Sequence, residues 1–173
     1  MGLGYPGGPA LEKLAKKGDE DSFDLPKPLL GQNNCNFSFS GLKTALIRLS
    51  RTLEPVDNVT MQNMAASYQK AIVDCLIDRT KKSIDVAKKS RPDLLIKNLV
   101  ASGGVAANKK IVNGLNNLAQ ENDMNFTSPP IELCTDNAAM IAWAGCLRVD
   151  KGLLNTLDVS AKARWPLEEV NAL

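Results

Sequence analysis

No histidine occurs anywhere in the 173 residues. Within this chain that absence excludes an HExxH zinc site, a histidine acid–base pair and a Ser-His-Asp triad. Cysteine is sparse: positions 35, 75, 134 and 146 form no CxxC pair, and no signal peptide is recognisable. The thiols are therefore expected to be reduced, in a cytoplasm-like compartment. Neither sign of charge dominates, since 21 Lys and Arg against 19 Asp and Glu leave a net +2. A nucleic-acid partner would have to be held by a local patch rather than by the whole surface. The longest apolar run, Ala138 to Leu147, is ten residues, about half of a bilayer span, and reads as a buried helix with no membrane anchor. There is no Walker A sequence, internal repeat or low-complexity segment. Gly2 to Gly7 matches GxGxxG, but no strand precedes it and Pro6 interrupts it, so the dinucleotide-binding context is missing.

What is present fits one compact domain over 1–173, with 44% hydrophobic residues to build a core. Its centre is Leu94 to Ala119. An apolar run to Ala101 reads as a strand, Gly103-Gly104 as a bare loop, and the apolar positions 111, 112, 115, 118 and 119 as one face of a helix. Glycines without Cβ atoms admit a ligand close to the backbone, and the helix start offers free N–H groups to a phosphate. A nucleotide phosphate or ribose cradle would use these features; so would an ordinary tight turn.

Elsewhere, Pro9 to Gly18 reads as a helix with proline near its start and glycine past its end. Phe23 to Leu30, with Pro26 and Pro28, allows at most an edge strand. Cys35 to Ser40 alternates polar and apolar like a strand, with serines that face either a ligand or a half-buried surface, and Gly41 leads into a helix through Leu42, Ala45, Leu46 and Leu49. Thr60 is the expected N-cap of a long helix to about Lys89, with Met64, Tyr68, Ala71, Ile72, Cys75 and Leu76 on its core face. Lys70, Arg79, Lys81, Lys82, Lys88 and Lys89, followed by Arg91, form a basic face that could meet RNA phosphates or simply be solvated. Pro92 stops the helix. Asn125 to Thr127 is short and β-like. Thr135 or Asp136 is the expected N-cap of the apolar helix, and Asp136 could equally ligate a hard or borderline metal. Leu167 to Val170 carries no clear signal.

Four segments taken together, GLGYPGGP at the start, FSFSGLKT at 37–44, ASGGVAAN at 101–108 and CTDNAAMIA at 134–142, resemble the TsaD/Gcp family of tRNA threonylcarbamoyladenosine synthesis proteins. These were formerly described as O-sialoglycoprotein endopeptidases. The resemblance implies an α/β fold, a ribonuclease-H-like lobe of the actin-like ATPase (ASKHA) fold truncated at its amino terminus, so that the chain is the carboxy-terminal portion of a two-lobed protein. It implies transfer of a threonylcarbamoyl group from threonylcarbamoyl-adenylate to the N6 amine of the adenosine beside the anticodon, in tRNAs reading codons that begin with A. By that pattern Gly8 and Asn108 contact the adenylate, and Asp136 ligates one divalent metal, iron or zinc. Implied partners are the tRNA, the other proteins of the modification complex and the missing amino-terminal lobe, in the cytoplasm or a mitochondrial matrix.

The chain departs from that pattern too. The family's two metal-binding histidines, its SGGHT-type phosphate loop and an aspartate just before the GYPGG segment are absent. Half a site is expected, inactive alone, from a shortened gene product or one half of a split protein. The alternative is a non-catalytic nucleotide-binding or protein-interaction module of the modification complex. The protease of the older description lacks a nucleophile–base pair here.

Overall fold

One helix of 33 residues, α3 (Asn58–Ser90), contributes to each of the three apolar clusters of the core. The computed structural model describes residues 2–158 together with Ser160, Ala163, Arg164 and Pro166; Leu167 to Val170 lies outside the described residues. The cap of α3 is Asp57 rather than Thr60: the Asp57 carboxylate accepts the N–H of Thr60 at 2.6 Å. An anion there also complements the helix dipole. The helix ends at Ser90, as Pro92 requires, because the residue before a proline is driven out of the helical region.

The chain divides into two compact units, Met1–Cys134 and Thr135–Leu173. In the first, three apolar clusters follow one another along α3. Near its start, Ala65 and Ala66 meet Ala15 of α1 (Gly7–Ala15), with Leu11 and Leu14 around them. Small side chains on both helices permit this close approach, and just beyond α1 the approach to α3 requires glycine at position 18: a methyl there would sit 2.1 Å from the Gln62 carbonyl oxygen. Midway, Ala71 meets Leu25 and the fully buried Leu42 of α2 (Ser40–Thr52). Toward the end, Ile84 packs with Leu118, Ala119 and Met124, and Leu99 and Phe126 close the cluster.

Leu99 and Phe126 are the middle residues of β1 (Asn98–Val100) and β2 (Asn125–Thr127), which pair in parallel, Leu99 opposite Phe126. Parallel strands need a crossover, and α4 (Lys109–Glu121) supplies it. Its buried residues Ile111, Leu115, Leu118 and Ala119 are the expected apolar face. The fold is α/β with a small parallel sheet, in which strand and helix are joined through the glycine pair. The strand is shorter than Leu94 to Ala101, since only three residues find a partner on β2.

Several sequence expectations are corrected. Cys35 to Ser40 is not a strand, because no strand of the described residues lies beside it to complete a ladder; Phe37 and Phe39 instead stack with ring centroids 6.5 Å apart. Phe23 to Leu30, where two prolines allow at most an edge strand, forms none, in agreement with its sequence. Helix α1 begins at Gly7, two residues before Pro9, whose missing N–H falls in the first turn where no helical partner exists. Arg79 is not on a solvated basic face: it is 1% exposed and turned inward to donate to the carbonyls of Gln32 at 2.9 Å and Asn34 at 2.7 Å.

In the second unit, α5 (Ala138–Asp150) is capped by Asn137, not by Thr135 or Asp136. Its side-chain oxygen accepts the N–H of Met140 at 3.0 Å, and its amide nitrogen donates to the Thr135 carbonyl at 2.9 Å. The expected burial of α5 is also corrected, since the helix buries none of its residues. An all-round apolar helix needs apolar partners on every side. Among the described residues this unit contains no other helix or strand to supply them. No helix among the described residues is long and apolar enough to cross a membrane. The four cysteines are free thiols.

Candidate nucleotide cleft

Within the first unit, α1, α2, α3 and the segment leading into α4 surround a cleft of about 1150 Å³. Gly8 and Asn108, one hundred positions apart, both line it. Gly8 stands in the first turn of α1, where no side chain caps the helix. A Cβ at Gly7 or Gly8 would meet nothing within 4 Å. The first turn of a helix leaves its N–H groups without helical partners, so this end presents positive charge density to an anion, and the missing side chains leave the approach open.

Asn108 arrives from the opposite side. Gly103 has φ +90° and ψ 174°, a conformation that L side chains rarely adopt, and it turns the chain from β1 into a short 3-10 turn at Gly104–Ala107. Asn108 then caps α4. Its Oδ1 accepts the N–H groups of Lys110 at 3.0 Å and Ile111 at 3.2 Å, and its Nδ2 donates to Oε1 of Gln69 at 3.1 Å. The next residue, Lys109, donates its backbone N–H to the Glu12 carboxylate at 3.3 Å, tying α4 to α1.

The wall between these two ends comes from α3 and α2. Tyr68, Ile72 and Leu76, expected as core, are half-buried and line the cleft with Leu46. Burial pushes the Tyr68 phenol above its ordinary pKa, so it stays a neutral donor at physiological pH. An apolar wall with polar groups at the rim suits a nucleoside with a charged end. Gln69 also lines the cleft, and the sequence alone does not single it out. Its one signal was a neutral amide set beside the apolar stripe of α3.

Asp136 is an exposed residue of the second unit. No group of three or more His, Cys, Asp or Glu among the described residues could hold a metal. The residues present thus make no complete metal site, as one carboxylate satisfies one of the four or more positions that iron or zinc takes. The basic residues of α3 are largely engaged: Lys70 pairs with Asp21 at 2.5 Å, Lys82 donates to Asn33 at 3.0 Å and Lys88 to Asn122 at 3.2 Å.

The family model described as TsaD, tRNA N6-adenosine threonylcarbamoyltransferase, matches residues 1–143. A protein of Brucella suis with the same description is 46% identical over 172 residues, 99% of this chain and 48% of its own length. Those of Brucella ovis and Brucella abortus are each 45% identical over the same shares. The chain spans about half the length of the curated relatives it matches.

Proposed function

From the premise that this chain belongs to the TsaD family, we propose that it supplies the carboxy-terminal, ribonuclease-H-like part of a two-lobed, actin-like ATPase fold. In this reading it serves a tRNA N6-adenosine threonylcarbamoyltransferase. The single observation that carries the reading is that Gly8 and Asn108 line one cleft although they come from segments far apart in sequence. The open first turn of α1 suits the phosphate of a threonylcarbamoyl-adenylate, and the apolar wall of α3 suits its adenosine.

In the proposed reaction the adenosine N6 of the tRNA attacks the threonylcarbamoyl carbonyl. A C–N bond forms, the C–O bond to the phosphate breaks, AMP leaves with that electron pair, and N6 gives up a proton. The work of this chain is positioning. The α1 N–H groups hold the leaving phosphate, and the Asn108 region fixes the nucleotide, so that the carbonyl is presented in one orientation. Asp136 would offer one oxygen to a divalent metal, iron or zinc, whose histidine ligands these 173 residues do not supply. Such a metal would act as a Lewis acid or template when bound. The tRNA, the amino-terminal lobe and the other proteins of the modification complex are the proposed partners.

A second reading, a non-catalytic interaction module, is favoured by α5, whose Ile141, Trp143 and Val149 are each more than half exposed. An exposed apolar surface of that kind marks a contact site. The two readings separate in a transfer assay with purified components. Labelled threonylcarbamoyl-adenylate and tRNA give no product with this chain alone, and give labelled tRNA once an amino-terminal half from a full-length relative is added. Turnover by the chain alone would overturn the half-site reading. A folded complex without turnover would overturn the transferase reading in favour of the module.

A further inference from the structure

The cap of α4 orients more than one side chain. Oδ1 of Asn108 is committed to two backbone N–H groups, those of Lys110 and Ile111. A backbone N–H can only donate, so the oxygen of Asn108 must face α4 and its nitrogen must face the other way. That nitrogen meets Gln69 at 3.1 Å, and only an acceptor can receive it, so Gln69 turns Oε1 toward Asn108. The third orientation follows: Nε2 of Gln69 points away from Asn108. Gln69 is 6% exposed and lines the cleft. No buried side-chain nitrogen or oxygen among the described residues lacks a partner, and none of the hydrogen bonds of the described residues uses Nε2 of Gln69. This donor is therefore unpaired and not fully enclosed, on a residue that lines the cleft.

A largely buried amide with a spare donor at the edge of a cleft differs from a surface glutamine. Its rotamer is held by a chain of hydrogen bonds that begins in the backbone, so little conformational entropy is lost when it binds. Its unused donor would cost free energy if a ligand covered it without an acceptor. A ligand that places an acceptor there avoids that cost.

We infer that Gln69 is a ligand-reading residue of the cleft, whose Nε2 donates to an acceptor atom of the bound nucleotide while Asn108 holds it in register. This rests on the reading of the cleft as a nucleotide site. The acceptor belongs either to the nucleoside or to the phosphate, and separate probes distinguish the two.

The test is side-chain amide NMR on the full chain labelled with nitrogen-15, with AMP, adenosine and inorganic phosphate as probes. The Gln69 side-chain amide signals are identified by their loss in Gln69→Glu. They move on titration with AMP, and they also move with adenosine if the acceptor is on the nucleoside, or with phosphate if it is on the phosphate. Gln69→Glu keeps an acceptor for Asn108 but removes the donor, and AMP affinity falls by on the order of tenfold. Asn108→Asp keeps the cap but turns the local donor into an acceptor. Gln69 then swings Nε2 away from the cleft, and the same loss appears without loss of stability.

Gln69 signals that stay fixed while the Gly8 amide moves would overturn the inference, as would the absence of any AMP-induced shift. Failure of the transferase reading is seen elsewhere: AMP binds and moves Gln69, yet no threonylcarbamoyl group reaches tRNA.

Discussion

Arg79, in the middle of α3, donates from Nη1 to the backbone carbonyl of Asn34 at 2.7 Å. The same nitrogen reaches the carbonyl of Gln32 at 2.9 Å, and Nε donates to the Asp78 carboxylate at 2.7 Å. One guanidinium therefore fastens the turn-rich segment before α2 onto the central helix. Arginine can do this because its donors are spread over a planar fork, which an ammonium cannot match.

Replacing this side chain leaves the carbonyls of Gln32 and Asn34 without this donor and the Asp78 carboxylate without its cationic partner. Arg79→Met is expected to destabilise the chain by about 3 kcal/mol, the range for breaking a buried charged pair from one side. Arg79→Lys keeps the charge without the fork and should recover less than half of that loss. Urea denaturation followed by circular dichroism measures both. Equal stability of the methionine variant and wild type would show that the segment is held by other contacts.

The partner of Arg79 gives a pH dependence. Burial alone would raise the Asp78 carboxyl, but the Arg79 side chain, the Gly31 N–H and the nearby positive charges outweigh it and hold the pKa below the ordinary carboxylate value. A carboxyl depressed in the folded state adds stability that is fully present above its unfolded pKa, about 3.9, and is lost as pH falls through the lower folded value. Asp78→Asn is therefore less stable than wild type at pH 7, and the gap narrows below about pH 4. Unfolding midpoints measured from pH 7 down to pH 2.5 test this; a constant gap would contradict it.

Gly8 in the first turn of α1 and Gly18 in the turn beyond its end should respond in opposite ways. At Gly18 a methyl group would strike the backbone of Gln62 and Asn63, 2.1 Å and 2.7 Å away, and backbone cannot turn aside as a side chain can. Gly18→Ala is expected to cost at least about 2 kcal/mol by overpacking. At Gly8 a methyl meets nothing and a helical alanine is favoured over glycine by up to about 1 kcal/mol. Gly8→Ala should match or exceed wild type in thermal stability while weakening AMP binding in calorimetry. Unchanged AMP affinity would remove Gly8 from the site.

The unit running from Leu94 to Thr127 was readable because its signals are local and agree with one another. The apolar run, the glycine pair and the spacing of Ile111, Leu115 and Leu118 all favour strand, turn and helix in that order. Cys35 to Ser40 misled because alternation describes a face, whereas a strand also needs a neighbour to bond with, and no sequence window shows one. Arg79 looked like part of a solvated stripe because periodicity places a side chain on a face without revealing that a loop 45 positions away supplies carbonyls for it. The caps at Asp57 and Asn137 were each missed in favour of a neighbouring capping residue, Thr60 or Thr135 and Asp136. Gly8 and Asn108, singled out through the family resemblance, both line the cleft. Gln69 could not be singled out, since its role depends on a hydrogen bond to a residue 39 positions away.

The most direct measurement is nucleoside mass spectrometry of tRNA from cells lacking their own threonylcarbamoyltransferase, supplied with this chain and an amino-terminal half from a full-length relative. Threonylcarbamoyladenosine is expected to reappear with the wild-type chain, and to be lost with Asp136→Ala and with Gly8→Val while the complex still forms. A folded complex that yields no modified nucleoside, or one in which both substitutions leave its level unchanged, would contradict the assignment of this cleft and this aspartate to the transferase.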